Sequence, residues 1–203
     1  MRKLVSTTFV SMDSVMQSPA GPTEDDSGGF TSGGWLVPYF DDIVGQAMGH
    51  IFARQPEILL GRKTYEIMVA YWPKASAEEG ADNMNNAKKY VVSNTLNKVE
   101  WNNSTLVKGD VVKEITKLKA QDGPELQVHG SGNLIQTLLK HNLIDEMHLL
   151  IFPVTIGYGK RLFGEGTNPA SFKLVNSKSS GSGVIIATYA FDGDLKTGAI
   201  PQS

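Results

Sequence analysis

Two short stretches of this chain set glycine beside groups that bind anions. In ILLGRKTYE an apolar, strand-like run ends at Gly61 and a helical pattern begins, with Arg62, Lys63 and Thr64 in its first turn. Cations are unfavourable beside the positive end of a helix dipole. Placing two there has a local cost that a bound anion offsets: arginine's planar fork suits a phosphate, and lysine supplies a point charge. In VHGSGNLIQTLL a second strand-like run ends at His129. Gly130 and Gly132 let a ligand approach the backbone, and amides at the start of the following helix can donate to a diphosphate, helped by Ser131 and Asn133. A third run, VVSNTL, ends in the small polar residues Ser93, Asn94 and Thr95.

Each stretch alone has an ordinary alternative: solvated surface charges, a tight turn, a polar strand end. Together they fit an extended ligand with several phosphates, and the 2'-phosphate and diphosphate of NADPH meet that description. The glycine pair lacks the Gly-Lys-Ser/Thr ending of a P-loop, and Ile135 stands where the third glycine of a dinucleotide fingerprint belongs. Among single residues, Asp13 closes the first strand-like run and is a candidate for catalysis or substrate contact. Trp35 and Tyr39 follow a polar loop and either stack on a flat heterocycle or serve the core. His129 either contacts substrate or hydrogen-bonds at its strand end. Asp41 and Asp42 open a helical pattern, where acids also suit the dipole. His50, His141 and His148 lack metal-ligand spacing and the chain has no cysteine, so no metal site is expected.

These residues need elements to hold them. KLVSTTFVSM is rich in β-branched residues and reads as a first strand. The polar stretch from Asp13 to Gly34 reads as a loop at the mouth of a site. In PYFDDIVGQAMGHIFARQ, Phe40, Ile43, Val44, Ala47 and Ile51 follow helical spacing, and Pro38 suits a helix start. There follow a strand (EILLG), a helix (RKTYEIMVAYW) and strands in KKYVVS and STLVK. DVVKEITKLKAQ is a helix capped by Asp110. PELQVHG is a strand, NLIQTLLKHN a helix and DEMHLLIFPV a strand, and FKLVNSKSSGSGVIIATYAF is a terminal antiparallel hairpin. Strands alternating with helices predict an α/β fold with a mainly parallel sheet covered on both faces, in one domain spanning 1–203.

The bulk numbers narrow the function. A formal charge of −2 over 203 residues, with no run of lysine and arginine, argues against nucleic acid as a partner. Absent cysteine excludes disulfides and thiolate-ligated metals. The N-terminal apolar run is too interrupted for a signal peptide, and MHLLIF and VIIA are far too short to span a bilayer, so a soluble cytoplasmic protein is expected.

The ordered series GRKTYE, VVSNTL and GSGNLIQTLL, followed by NLIDEMHLLIFPVTIGYGKRLF, resembles the dihydrofolate reductase-like superfamily over almost the whole chain. Within it the similarity is to the reductase domain of the riboflavin-biosynthesis bifunctional deaminase-reductase. STTFVSMDS resembles that family's first strand and turn, with Ser14 replacing a glycine, and His129 stands where an acidic residue is common. The resemblance implies a three-layer α/β/α fold and NADPH as cofactor. It implies that Gly61, Arg62, Lys63, Thr64, Ser93 and Asn94 contact the 2'-phosphate side and that Gly130, Ser131, Gly132 and Asn133 hold the diphosphate. It further implies hydride transfer to a small pteridine-like or riboflavin-precursor-like heterocycle, and pairing into a homodimer. A ligand-binding module that kept this fold without its chemistry is the alternative.

Overall fold

The computed structural model describes residues 1–200. Eight strands form one mixed sheet: β1 (Leu4–Ser11), β2 (Glu57–Gly61), β3 (Lys89–Val92), β4 (Ser104–Val107), β5 (Leu126–His129), β6 (Glu146–Phe152), β7 (Ala170–Ser179) and β8 (Ile185–Asp194). Their spatial order is β4-β3-β2-β5-β1-β6-β8-β7. β1 to β6 are parallel to one another, and β8 and β7 extend the sheet antiparallel beyond β6. β1, β2, β3, β5 and β6 are largely buried, covered on both faces, whereas the edge strand β4 is half-exposed.

Five helices make the outer layers: α1 (Asp42–Ala53), α2 (Arg62–Tyr71), α3 (Ala81–Asn86), α4 (Val111–Ala120) and α5 (Gly132–Lys140). On one face, Val44 of α1 lies in a cluster with Leu150 and Phe152, and Tyr65 of α2 in another with Ile58 and Leu60. On the other, Ile115 of α4 and Leu134, Ile135 and Leu138 of α5 pack with Leu4, Leu59, Leu126 and Val128. The result is the dihydrofolate reductase-like α/β/α arrangement with its terminal antiparallel hairpin. No described helix is long and apolar enough to cross a membrane.

The expected elements form with two corrections. Pro38 opens a separate 3-10 turn at Val37–Tyr39, and α1 starts only at Asp42. Phe40 therefore lies outside the helix and is 45% exposed instead of joining its apolar stripe. The start is fixed by Asp41, whose Oδ1 accepts from Ile43 N at 3.1 Å and Val44 N at 3.0 Å. The second correction is α3, in a stretch whose polar composition gives no helical periodicity. Its last carbonyls are satisfied from outside, by the fully buried Lys89 of β3: Nζ donates to Met84 O and Ala87 O at 2.7 Å and to Asn85 O at 3.1 Å.

Candidate active site

The strand order creates a crevice. β2 and β5 lie side by side, with Leu59 opposite Val128, yet α2 leaves toward one face of the sheet and α5 toward the other. Ligands of open α/β sheets bind at such a switch point, beyond the carboxyl ends of the strands. β5 also ends early. It pairs with β1 only as far as Thr7, whereas β1 runs on to Ser11 beside β6.

Both helices that start at this crevice lack a side-chain cap. The cap position before α2 is Gly61, and that before α5 is Ser131, whose side chain makes no capping bond. By contrast, α1 and α4 are capped by the carboxylates of Asp41 and Asp110. The first-turn N–H groups of α2 and α5 are thus open to an anion, reinforced by the helix dipoles.

The two starts are fastened together. Gly61 N donates to Ser131 Oγ at 2.9 Å, and Ser131 Oγ donates to Thr64 Oγ1 at 2.6 Å. The glycines permit the approach: a Cβ on Gly61 would lie 2.5 Å from Ser131 Oγ. One on Gly130, held at φ +61°, would lie 3.1 Å from Thr64 Oγ1. Gly132 is roomier, with Met16 Sδ 3.8 Å from an added Cβ. Arg62 is half-exposed at the rim and pairs with Glu66 of the same helix at 3.0 Å, a solvent-screened contact readily exchanged for a phosphate. Lys63 is exposed and makes no salt bridge among the described residues. Asn133 is exposed in the first turn of α5.

At the end of β3 the side chains brace the edge. Ser93 Oγ accepts from Thr95 N at 3.2 Å and Leu96 N at 3.1 Å. Asn94 exchanges two hydrogen bonds with the Gly109 backbone, at 2.7 and 3.2 Å, tying β3 to the loop after β4.

Asp13 lies at the end of β1, across the crevice mouth from these groups in the strand order. It accepts from Ser11 Oγ at 2.6 Å, Ile156 N at 3.1 Å and Gly157 N at 2.7 Å, and Arg161 approaches at 3.5 Å. These donors, the Ser11 hydroxyl foremost, hold its pKa down at about 2, so it has no proton to give near neutral pH. Its contacts knit the loop after β6 to β1. Trp35 is a core residue: it meets Phe152 edge-on at 5.6 Å, and its Nε1 donates to Gln17 O at 2.8 Å, fastening the long loop. Tyr39 packs half-buried against the same cluster.

His129 belongs to a polar row on the α1 face. In register, Thr7 lies between His129 and His148. His129 Nε2 lies 3.0 Å from Gln127 Oε1, and its ring stacks on Phe52 of α1 at 5.3 Å and 9°. Burial, with a smaller contribution from His148, pushes its pKa down to about 4, so the ring is neutral under ordinary conditions. His148 is likewise pushed down by burial, with Nδ1 3.0 Å from Thr188 Oγ1. Sequence spacing left His148 without a role. Its alternation with Glu146 and Leu150 along β6 is the signal that puts it on the inward face beside Thr7. Among the described residues no cluster of histidine, aspartate and glutamate is placed to hold a metal ion.

Comparison with known proteins gives this geometry a context. The family model described as the RibD C-terminal domain matches residues 2–186. The uncharacterized protein YyaP of Bacillus subtilis is 32% identical over 140 residues, covering 67% of this chain and 74% of the relative. Among solved structures, a protein provisionally named for riboflavin biosynthesis from Shewanella sp. PV-4 superposes with a TM-score of 0.65 at 23% identity, covering 94% of this chain and 99% of that one. A dihydrofolate reductase from Enterococcus faecalis, complexed with NADP(H) and RAB-propyl, gives a TM-score of 0.60 at 14% identity, covering 94% of this chain and 96% of that one. At these identities the structural matches establish the fold.

Proposed function

We propose that this chain, which belongs to the RibD C-terminal domain family, is a reductase that binds NADPH across the β2–β5 crevice and reduces a small heterocycle of pteridine or riboflavin-precursor type. The family includes NADPH-dependent reductases. The observation that carries the reading is the pair of uncapped helix starts meeting at the switch point, pressed together by glycines that leave no room for a Cβ. Such a cradle suits a ligand with anionic groups at two separated points, as NADPH has.

In this reading Arg62, Lys63 and Thr64, with the strand end at Ser93 and Asn94, hold the 2'-phosphate. The backbone from Gly130 to Asn133 holds the diphosphate. Because the Ser131 hydroxyl is engaged by Gly61 and Thr64, Ser131 serves the diphosphate through its amide. The bound nicotinamide supplies the hydride. The chain's own part is positioning and exclusion of water. Asp13 acts by holding the loop that closes over the end of β1. His129, neutral and fixed against Phe52, offers the α1 side of the site a polar wall without charge, and Tyr39 borders the same layer.

The test is a fluorescence titration with NADPH and NADH, followed by turnover. Wild-type protein is expected to prefer NADPH, and Arg62→Ala/Lys63→Ala to lose that preference by about tenfold or more, the scale of removing charge-assisted hydrogen bonds. NADPH consumption dependent on a pterin or aminopyrimidine acceptor identifies the reductase. Saturable NADPH binding without consumption by any acceptor identifies a binding module instead.

A further inference from the structure

A hydrogen-bonded chain crosses the crevice, and its direction is fixed at one end. The Gly61 N–H can only donate, and it donates to Ser131 Oγ at 2.9 Å. The Ser131 hydroxyl then donates onward to Thr64 Oγ1 at 2.6 Å. Thr64 receives that bond and keeps its own hydroxyl hydrogen, for which no acceptor lies within reach among the described residues. Thr64 is the third residue of α2, so this hydrogen is offered beside the uncapped amides of the same helix.

The backbone at Ser131 supports a built arrangement. Its φ of 64° and ψ of 74° are left-handed, a conformation unfavourable for a serine and free for a glycine. A serine there makes two hydrogen bonds that glycine cannot make, and bonds in such a chain polarise one another. They join residues 61 and 64 at one helix start to residue 131 at the other.

We propose that Ser131 is a positioning residue that acts through Thr64. It aims the Thr64 hydroxyl as a donor toward a phosphate bound at the start of α2, and it pins the α2 start against the α5 start so that both face one ligand. This assignment rests on the NADPH reading and goes beyond it, because it gives the Ser131 side chain a role without contact to the cofactor.

The experiment measures NADPH dissociation constants for wild type, Ser131→Gly, Thr64→Val, Thr64→Ser and the double variant Ser131→Gly/Thr64→Val, with thermal melting of each. Ser131→Gly keeps the left-handed backbone without strain, which protects its folding. Ser131→Gly and Thr64→Val are each expected to weaken NADPH about tenfold, the scale of one hydrogen bond to a charged group. Thr64→Ser, which keeps the hydroxyl, should stay within about twofold of wild type, and the double variant should be no weaker than Thr64→Val, since both changes remove one donor. The proposal is overturned if Ser131→Gly binds NADPH as wild type does, if the two losses add, or if Thr64→Ser binds as poorly as Thr64→Val. Wild-type protein that binds neither NADPH nor NADH overturns the NADPH reading itself, and this assignment with it.

Discussion

The starts of α1, α2, α4 and α5 divide into two kinds. α1 and α4 carry their own anion: Asp41 accepts from Ile43 N and Val44 N, and Asp110 Oδ1 accepts from Lys113 N at 3.0 Å. Asp41 also reaches the turn of the terminal hairpin, its Oδ2 accepting from Ser182 N at 2.9 Å. α2 and α5 carry no such group, and the Ser131 hydroxyl, bonded to Gly61 N and Thr64 Oγ1, links the two junctions to each other. Capped starts contribute to folding stability. The open starts leave donors unsatisfied by the protein's own side chains, at the point where α/β sheets bind ligands. The same backbone geometry serves stability at the capped starts, and under the proposed function it serves recognition at the two open starts of the crevice.

The largest test converts an open start into one that carries an acid. Asn133→Asp is nearly isosteric, in the exposed first turn of α5. It should weaken NADPH about a hundredfold, roughly 3 kcal/mol, by charge repulsion at short range. The same change should leave thermal stability equal or slightly higher, because an acid suits the helix dipole. Affinity and stability moving together would break the contrast.

A second test uses pH. His129, immediately before the open α5 junction, stays neutral in the folded protein down to about pH 4, whereas a free histidine titrates near 6.5. As pH falls below about 6.5 the unfolded chain takes up a proton that the folded chain refuses, so stability falls with falling pH and levels off below about 4. At pH 5 the loss relative to neutral pH should be about 2 kcal/mol by urea denaturation, and His129→Gln should flatten that dependence. An unchanged slope in the variant would place the acid sensitivity elsewhere. The smallest effect is expected at a capped start: Asp110→Ala should cost about 1 kcal/mol of stability and leave NADPH affinity unaltered.

Much of this was legible along the chain because the signals are local. Gly61 and Gly130 mark strand-to-helix junctions by residue type, Asp110 marks a helix start, and the Ser/Gly turn marks the final hairpin. Other features depend on neighbours distant in sequence. Trp35 reads as a stacking platform or, with somewhat more weight, a core residue until Phe152 and Gln17 O are found beside it. At α3 the missing signal is a local one: its composition carries no apolar periodicity, although Lys89, which satisfies its last carbonyls, is only two to five residues away from them. Asp41 and Asp42 share a helix start, but only the backbone angles select Asp41 as its cap.

By itself the sequence determined the alternation of strands and helices, the parallel character of the sheet and the residue types at its carboxyl edge. These follow from period, propensity and turn chemistry within a few residues. Only the tertiary structure decided that β5 inserts between β2 and β1. That placement brings Ser131 onto Gly61 and Thr64 from 70 and 67 residues away. Strand order is set by pairings between distant segments, and side-chain period, which fixes the face a residue occupies, is silent on which strand will lie beside it.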